Sequence, residues 1–181
     1  MQIRRRRLPH LTVIGQPLFV TFRLHGSLPP GRSFPDESLT SGKAFVSMDR
    51  LLDYNRREPQ YLGLPDIAGL VADALLAGSP TDYLLHAWVL MPNHVHLLIT
   101  PHTERQQWLQ RLKGRTAHAA NPLLGRTGHP FWQDERYDHL VRNDQEFRRI
   151  ERYIVQNPVT AGLATTPEAF RWSSAFTTGA G

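Results

Sequence analysis

Residues 83–101 read YLLHAWVLMPNHVHLLITP: two apolar segments, Tyr83 to Leu90 and His94 to Thr100, joined by Met91-Pro92-Asn93. Proline and asparagine between two strand-like runs favour a tight connection, which predicts an antiparallel strand pair. His94 and His96 open the second strand at i, i+2. Successive side chains of a strand point to opposite faces, so the two imidazoles share one face while Val95 and Leu97 take the other. Neutral imidazole nitrogens are common ligands of divalent metals, and a strand holds them more rigidly than a loop. Two half-exposed polar residues give the same pattern, so the pair alone leaves both readings open. His86, on the first strand, is either a hydrogen-bond partner behind such a site or a histidine satisfied within the sheet.

Upstream of this stretch, Gly78-Ser79-Pro80 stops a helical pattern over Ile67 to Ala77, with Asp66 as its N-cap. A weaker helical pattern, Ala44 to Asn55, places Val46, Leu51 and Leu52 on its apolar side. Leu18 to Leu24, LFVTFRL, is β-branched and aromatic and reads as the first strand. Between them, His25 to Gly42 holds Pro29, Pro30, Gly31 and Pro35, which is loop chemistry, and residues 25–63 as a whole form an insertion with no assigned role.

Downstream, Thr103-Glu104-Arg105-Gln106 matches a capping box and predicts a helix to about Ala120, with Trp108, Leu109 and Leu112 toward the core. Asp144 is the expected N-cap of a last helix, Gln145 to Gln156, with Phe147, Ile150 and Ile154 on its buried stripe. Tyr153 and Asn157 fall at i, i+4 on the shoulder of that stripe, although Pro158 disfavours helical geometry at Asn157. Beyond Gly162 a packed tail with Phe170 and Trp172 is expected, and residues 173–181 are expected to fray.

A chain of 181 residues with 40% hydrophobic content fits a single domain. There is no cysteine, which excludes disulfides, thiolate metal sites and cysteine nucleophiles. The basic residues outnumber the acidic by 21 to 16, and only Lys43 and Lys113 are lysines. Arginine's planar fork suits bidentate phosphate contacts, so nucleic acid is the first partner to consider, against a basic surface that is merely solvated. The candidates for such contacts are Arg4, Arg5, Arg6 and Arg7 on an N-terminal arm (residues 1–16) and Arg105, Arg111, Lys113 and Arg115 on the third helix. Trp132 and Tyr137, with Arg136 between them, lie in an aromatic, charged segment, residues 131–138, that suits base stacking or core packing. The N-terminal apolar run is broken by His10, Gly15, Gln16 and Pro17, so no export signal is expected, and no window approaches a membrane span. The expected location is cytoplasmic.

Four segments in order, MPNHVHLLI, GHPFWQDERYDHLVR, RYIVQNPVTAGL and WSS, resemble the REP-associated tyrosine transposases of the HUH single-strand endonuclease superfamily. The likeness runs from Tyr83 to Ala175, with Leu18 to Arg23 a weaker match. It implies an α+β fold, a ferredoxin-like antiparallel sheet with helices packed on one face. It also implies His94, His96 and Asn157 as metal ligands for Mg²⁺ or Mn²⁺ and Tyr153 as the nucleophile. The implied partner is single-stranded or hairpin DNA, cleaved and rejoined through a phosphotyrosine by a monomer or homodimer, with no membrane and no small-molecule substrate. Two other readings stand beside it: a hairpin-binding protein that has lost catalysis, and a metal-dependent hydrolase in which water attacks.

Overall fold

The computed structural model describes residues 14–29, 42–54, 59–102 and 107–178. Four strands, β1 (Leu18–Leu24), β2 (Tyr83–Leu90), β3 (His94–Pro101) and β4 (Trp132–Leu140), form one antiparallel sheet in the order β2-β3-β1-β4. Between β1 and β2 lie α1 (Gly42–Tyr54) and α2 (Pro65–Gly78); α3 (Gln107–Leu123) links β3 to β4, and α4 (Asp144–Thr160) follows β4. This is a ferredoxin-like order, in keeping with the sheet that the family resemblance implies.

Period-two alternation divides β1 between two layers. Leu18, Val20, Phe22 and Leu24 join Val95, Leu97 and Ile99 of β3 under α2 and α3, whose Ile67, Val71, Leu75, Trp108, Leu109 and Leu112 complete that core. Phe19 faces the other way, into a second cluster with Leu98, Val89, Met91, Tyr137 and, from α4, Ile150 and Ile154. Leu52 of α1 is buried there as well. The helices therefore do not all lie on one face: α2 and α3 occupy one, α4 and α1 the other. The reason is that β1, β2 and β3 are apolar on both faces, and an apolar face must be covered. At the end of α2, Gly78 is required by a close approach, since a Cβ there would lie 2.5 Å from the Tyr83 hydroxyl, which donates to the Leu75 carbonyl at 2.6 Å.

Several boundaries differ from expectation. The segment 131–138, read as a mixed aromatic and charged stretch, lies largely in the edge strand β4, which pairs with β1. In α2 the cap position is Leu64, with Pro65 starting the helix, and Asp66 lies in the first turn. The capping box at residues 103–106 lies outside the described residues. In α1, Leu52 is buried, whereas Leu51 is 42% exposed. The cap of α4 is Asn143, whose side chain accepts from the Glu146 amide at 2.9 Å, and the helix runs through Pro158 to Thr160, so Asn157 stays helical. Ser173 and Ser174 are not frayed: Ser173 bridges Val89, and the Leu90 and Ser174 amides bond the Trp172 and Trp88 carbonyls, which covers the β2 edge.

Candidate metal and tyrosine site

The register of the sheet builds the floor of the site. Thr21 pairs with His96 and Arg23 with His94 across β1 and β3, so these four side chains share the face that α4 and α1 cover. His94 and His96 are wholly buried, with their Nε2 atoms 3.1 Å apart. The atoms behind them fix which nitrogen carries the proton. Asn93 donates its Nδ2 to the Leu52 carbonyl at 2.9 Å, which leaves its Oδ1 as the acceptor 2.6 Å from His94 Nδ1. His94 therefore donates from Nδ1 and keeps a lone pair on Nε2. Asn157 Nδ2 lies 3.3 Å from His96 Nε2, and Thr21 Oγ1 lies 2.7 Å from His96 Nδ1, which assigns His96 the same tautomer. Burial, outweighing the attraction of Asp49, pushes the His94 pKa down to about 3, so its imidazole is neutral at pH 7.

A third group completes the cluster. Asp49, from α1, is 1% exposed, and its Oδ1 lies 3.2 Å from His96 Nε2 and 3.5 Å from His94 Nε2. Each of Asp49, His94 and His96 offers one ligand atom, all within 4.8 Å of one another. Burial pushes the Asp49 carboxyl up, but His96, His94 and the Tyr153 hydroxyl outweigh it and hold the group below its ordinary range. Two imidazole lone pairs facing a carboxylate oxygen in a dry site repel one another unless a proton or a metal cation lies among them. Asp49 Oδ1 and Asn157 Oδ1 are buried and receive no hydrogen bond among the described residues, which fits the same deficit of positive charge.

Tyr153 reaches the cluster from α4, one turn before Asn157. Its hydroxyl donates to Asp49 Oδ2, and Asn157 Nδ2 donates to the same oxygen at 3.3 Å. Its ring sits at 5.7 Å, centroid to centroid, from His96 and edge-on to Phe19 at 6.2 Å. Burial first, then the Asp49 charge, raise the phenol's pKa well above its ordinary value. Beside a bare carboxylate Tyr153 is therefore a poor nucleophile, and only a nearby cation reverses that. Asp53, one turn along α1, has Oδ1 3.9 Å from His94 Nε2; burial and the Asp49 charge push its pKa up to about 7.

The structure thus brings together His94, His96, Tyr153 and Asn157, as the sequence suggested. Asn157 directs its Nδ2 rather than its Oδ1 at His96. His86 stands apart: its Nε2 lies 2.7 Å from Thr100 Oγ1 and its ring packs edge-on against Phe147, the within-sheet reading.

The expected DNA-contacting group is divided. Trp132 and Tyr137 are core residues; the Trp132 indole donates to Thr116 Oγ1 at 2.8 Å and packs on Phe22 and Phe131, leaving no ring face for a base. Arg136 is held by both Asp138 oxygens at 3.0 Å. Lys113 donates to the Gln133 carbonyl at 2.7 Å, and burial, with Arg136 nearby, lowers its pKa to about 8. Arg111, paired with Asp82 at 2.5 Å but half exposed, and Arg115 remain at the surface of α3, across the sheet from the histidines. Arg4 to Arg7 and Arg105 lie outside the described residues. On the histidine side, α4 exposes Arg148, Arg149 and Arg152, and Arg148 and Arg152 line a groove with His86, Glu151 and Ser174. These arginines went unremarked in the sequence, although their spacing on the tyrosine's own helix was there to be read.

Among the described residues no helix is long and apolar enough to cross a membrane. No curated protein matches the chain. Residues 79–157 match the family model described as transposase IS200 like. A solved structure described as a REP-associated tyrosine transposase bound to a REP hairpin superposes with a TM-score of 0.64 at 18% identity, covering 93% of this chain and 81% of that one. The segment that holds His94, His96, Tyr153 and Asn157 is therefore the part of the chain that matches the IS200-like transposase family model.

Proposed function

We propose that the protein is a metal-dependent single-strand DNA endonuclease and transposase that cleaves and rejoins hairpin DNA through a phosphotyrosine. The observation that carries this reading is the placement of a tyrosine hydroxyl beside a buried pair of imidazole lone pairs, on a helix whose next turn brings an amide to the same point. His94 and His96 by Nε2, and Asn157 by Oδ1 once its amide is turned over from the orientation that aims Nδ2 at His96, would hold a divalent cation, Mg²⁺ or Mn²⁺; imidazole donors favour Mn²⁺ on softness. When bound, it would supply Lewis-acid stabilisation of the charge that develops on a phosphate under attack. Tyr153 supplies the oxygen that bonds to phosphorus as the strand's own phosphorus–oxygen bond breaks. The phenol proton is lost and the departing sugar oxygen becomes a hydroxyl. The bond energy is kept in the phosphotyrosine, so the same hydroxyl can reverse the step. Thr21 and Asn93 hold the histidines in the tautomer that the cation needs.

The DNA reading draws on the family of residues 79–157 and on the hairpin held by the structural neighbour. The exposed arginines on α4, beside Tyr153, suit phosphates on the strand being cut. A protein that only binds hairpins needs none of His94, His96, Tyr153 and Asn157 converging on one point, which speaks against that alternative. The deciding experiment incubates the protein with a labelled single-stranded hairpin oligonucleotide and Mn²⁺, then separates products under denaturing conditions. A metal-dependent covalent adduct on Tyr153 is expected. Cleavage without any adduct would favour attack by water, and the hydrolase reading with it.

A further inference from the structure

The Asp49 carboxylate stands in the place that a scissile phosphate must take. One of its oxygens faces the two histidine Nε2 atoms at 3.2 and 3.5 Å, and the other accepts from the Tyr153 hydroxyl and, at 3.3 Å, from Asn157. A phosphodiester attacked by Tyr153 has to present the same two sides, an anionic oxygen to the cation-binding nitrogens and its phosphorus to the phenol. Both groups cannot be there together. With α1 seated, His94 and His96 have no solvent-accessible surface at all, and Asn157 has 4%.

We propose that α1 is a plug, that Asp49 imitates the substrate phosphate, and that the arrangement described above is a closed state which DNA opens by displacing α1. The inference rests on the reading of the site as a phosphodiester-cleaving centre and adds its regulation. Three features make α1 separable from the domain. The crossover that the fold itself requires between β1 and β2 is supplied by α2, on the opposite face, so α1 is an addition within that connection. Among its described side chains, Leu52 enters the cluster with Val89, Met91 and Leu98 and Val46 packs against it only partly buried, the Leu52 carbonyl accepts from Asn93, and the neighbouring Leu51 faces solvent. A cleft of about 220 Å³ runs along Leu52 and Asp53, between α1 and the segments Met91 to Asn93 and Ala161 to Leu163, so α1 is not packed solid on that side. The two groups that α1 turns toward the histidines, Asp49 and Asp53, are both carboxyls, so they compete with a phosphate for the site rather than helping to recruit it.

The test uses the full chain with Leu52→Ala, which weakens the seat without touching a polar group of the site, and Asp49→Ala, which removes the phosphate-like group. Adduct formation with a single-stranded hairpin oligonucleotide in Mn²⁺ is expected to be about tenfold faster, or more, in both variants. Thermal melting checks that each remains folded. A second readout needs no catalysis: the rate at which diethyl pyrocarbonate modifies His94 and His96 in metal-free protein, read by mass spectrometry, should rise by a similar factor in Leu52→Ala. If Asp49 is instead a standing metal ligand, Asp49→Ala loses both adduct and Mn²⁺ affinity, Leu52→Ala is no faster than wild type, and the plug is overturned. Should no protein form an adduct, the cleavage reading fails by itself. Histidine modification then still decides whether α1 opens: equal rates in wild type and Leu52→Ala overturn it, and a faster rate upholds it.

Discussion

Replacing Thr21 by valine isolates the contribution of the group behind His96. Thr21 is wholly buried on β1, its register partner is His96, and its Oγ1 lies 2.7 Å from His96 Nδ1. Valine keeps the branched shape and the strand preference, so packing against Phe19 and β4 changes little. The hydroxyl is lost, and a buried Nδ1–H without an acceptor costs about 1–3 kcal/mol. The ring can avoid that cost only by moving its proton to Nε2, the atom that faces His94, Asp49 and Asn157, or by rotating out of line. Either escape removes a metal donor, and losing such an outer partner typically lowers metal affinity about 10- to 100-fold. Calorimetric titration of Mn²⁺ into wild type, Thr21→Val and Thr21→Ser measures it, with urea unfolding as the control for stability. Serine restores the hydroxyl and should recover most of the affinity. If Thr21→Val bound Mn²⁺ as tightly as wild type while still folded, His96 would not act through Nε2 and the tautomer assignment would be wrong.

The other expectations test the remaining parts. His94→Ala and His96→Ala should each abolish measurable Mn²⁺ binding by calorimetry and stop cleavage, while circular dichroism shows the sheet intact. Tyr153→Phe should bind a hairpin oligonucleotide at least as well as wild type, since it loses one bond to Asp49, yet form no adduct; comparable cleavage by the variant would point to water as the attacker. Trp132→Phe should cost roughly 1–3 kcal/mol in chemical unfolding, through the lost bond to Thr116 and lost area, and leave DNA affinity unchanged in a filter-binding titration. The opposite pattern would restore Trp132 as a stacking platform. Asn143→Ala should cost about 1 kcal/mol by removing the cap of α4, read as a lower melting temperature.

The fold was legible where local pattern and tertiary outcome agree. The apolar run from Tyr83 to Pro101, broken by Met91-Pro92-Asn93, gave both strands of the hairpin nearly to the residue, because a proline turn and two β-rich segments leave few alternatives. β4 was less visible. Its sequence, WQDERYDHL, alternates poorly because it pairs only with β1 and Arg136, Asp138 and Glu135 satisfy one another or Arg23 across the edge. Base-stacking chemistry and edge-strand chemistry use the same mix of aromatic and charged residues, and only burial separates them. Pro158 misled in a different way. It removes one donor from α4, but the Ala161 and Leu163 amides bond the Asn157 and Pro158 carbonyls, so the helix passes through it and Asn157 keeps its aim.

Half of the candidate site was legible for a chemical reason and half was not. His94 and His96 announce themselves because a strand's period of two puts i and i+2 on one face, and Tyr153 and Asn157 because a helix puts i and i+4 on one line. Those relations are local, so spacing reveals each pair, while their union in one site was implied by the family resemblance. Asp49 has no such relation to any of the four: it lies 45 residues before His94, counting 94 minus 49, in a segment whose own pattern is a weak amphipathic helix. One acidic residue on such a helix is ordinarily a solvated one, and nothing in the chain distinguishes it from its neighbours. What singles it out is physical and appears only when the helix docks. A fully buried, ionised carboxylate is costly unless something positive or strongly donating meets it. In this site the donors are a tyrosine hydroxyl and an amide, while its other oxygen faces two imidazole lone pairs. That imbalance is why the cluster asks for a cation. It is also why the carboxylate that sits there in the closed form is the one group a phosphate would have to replace.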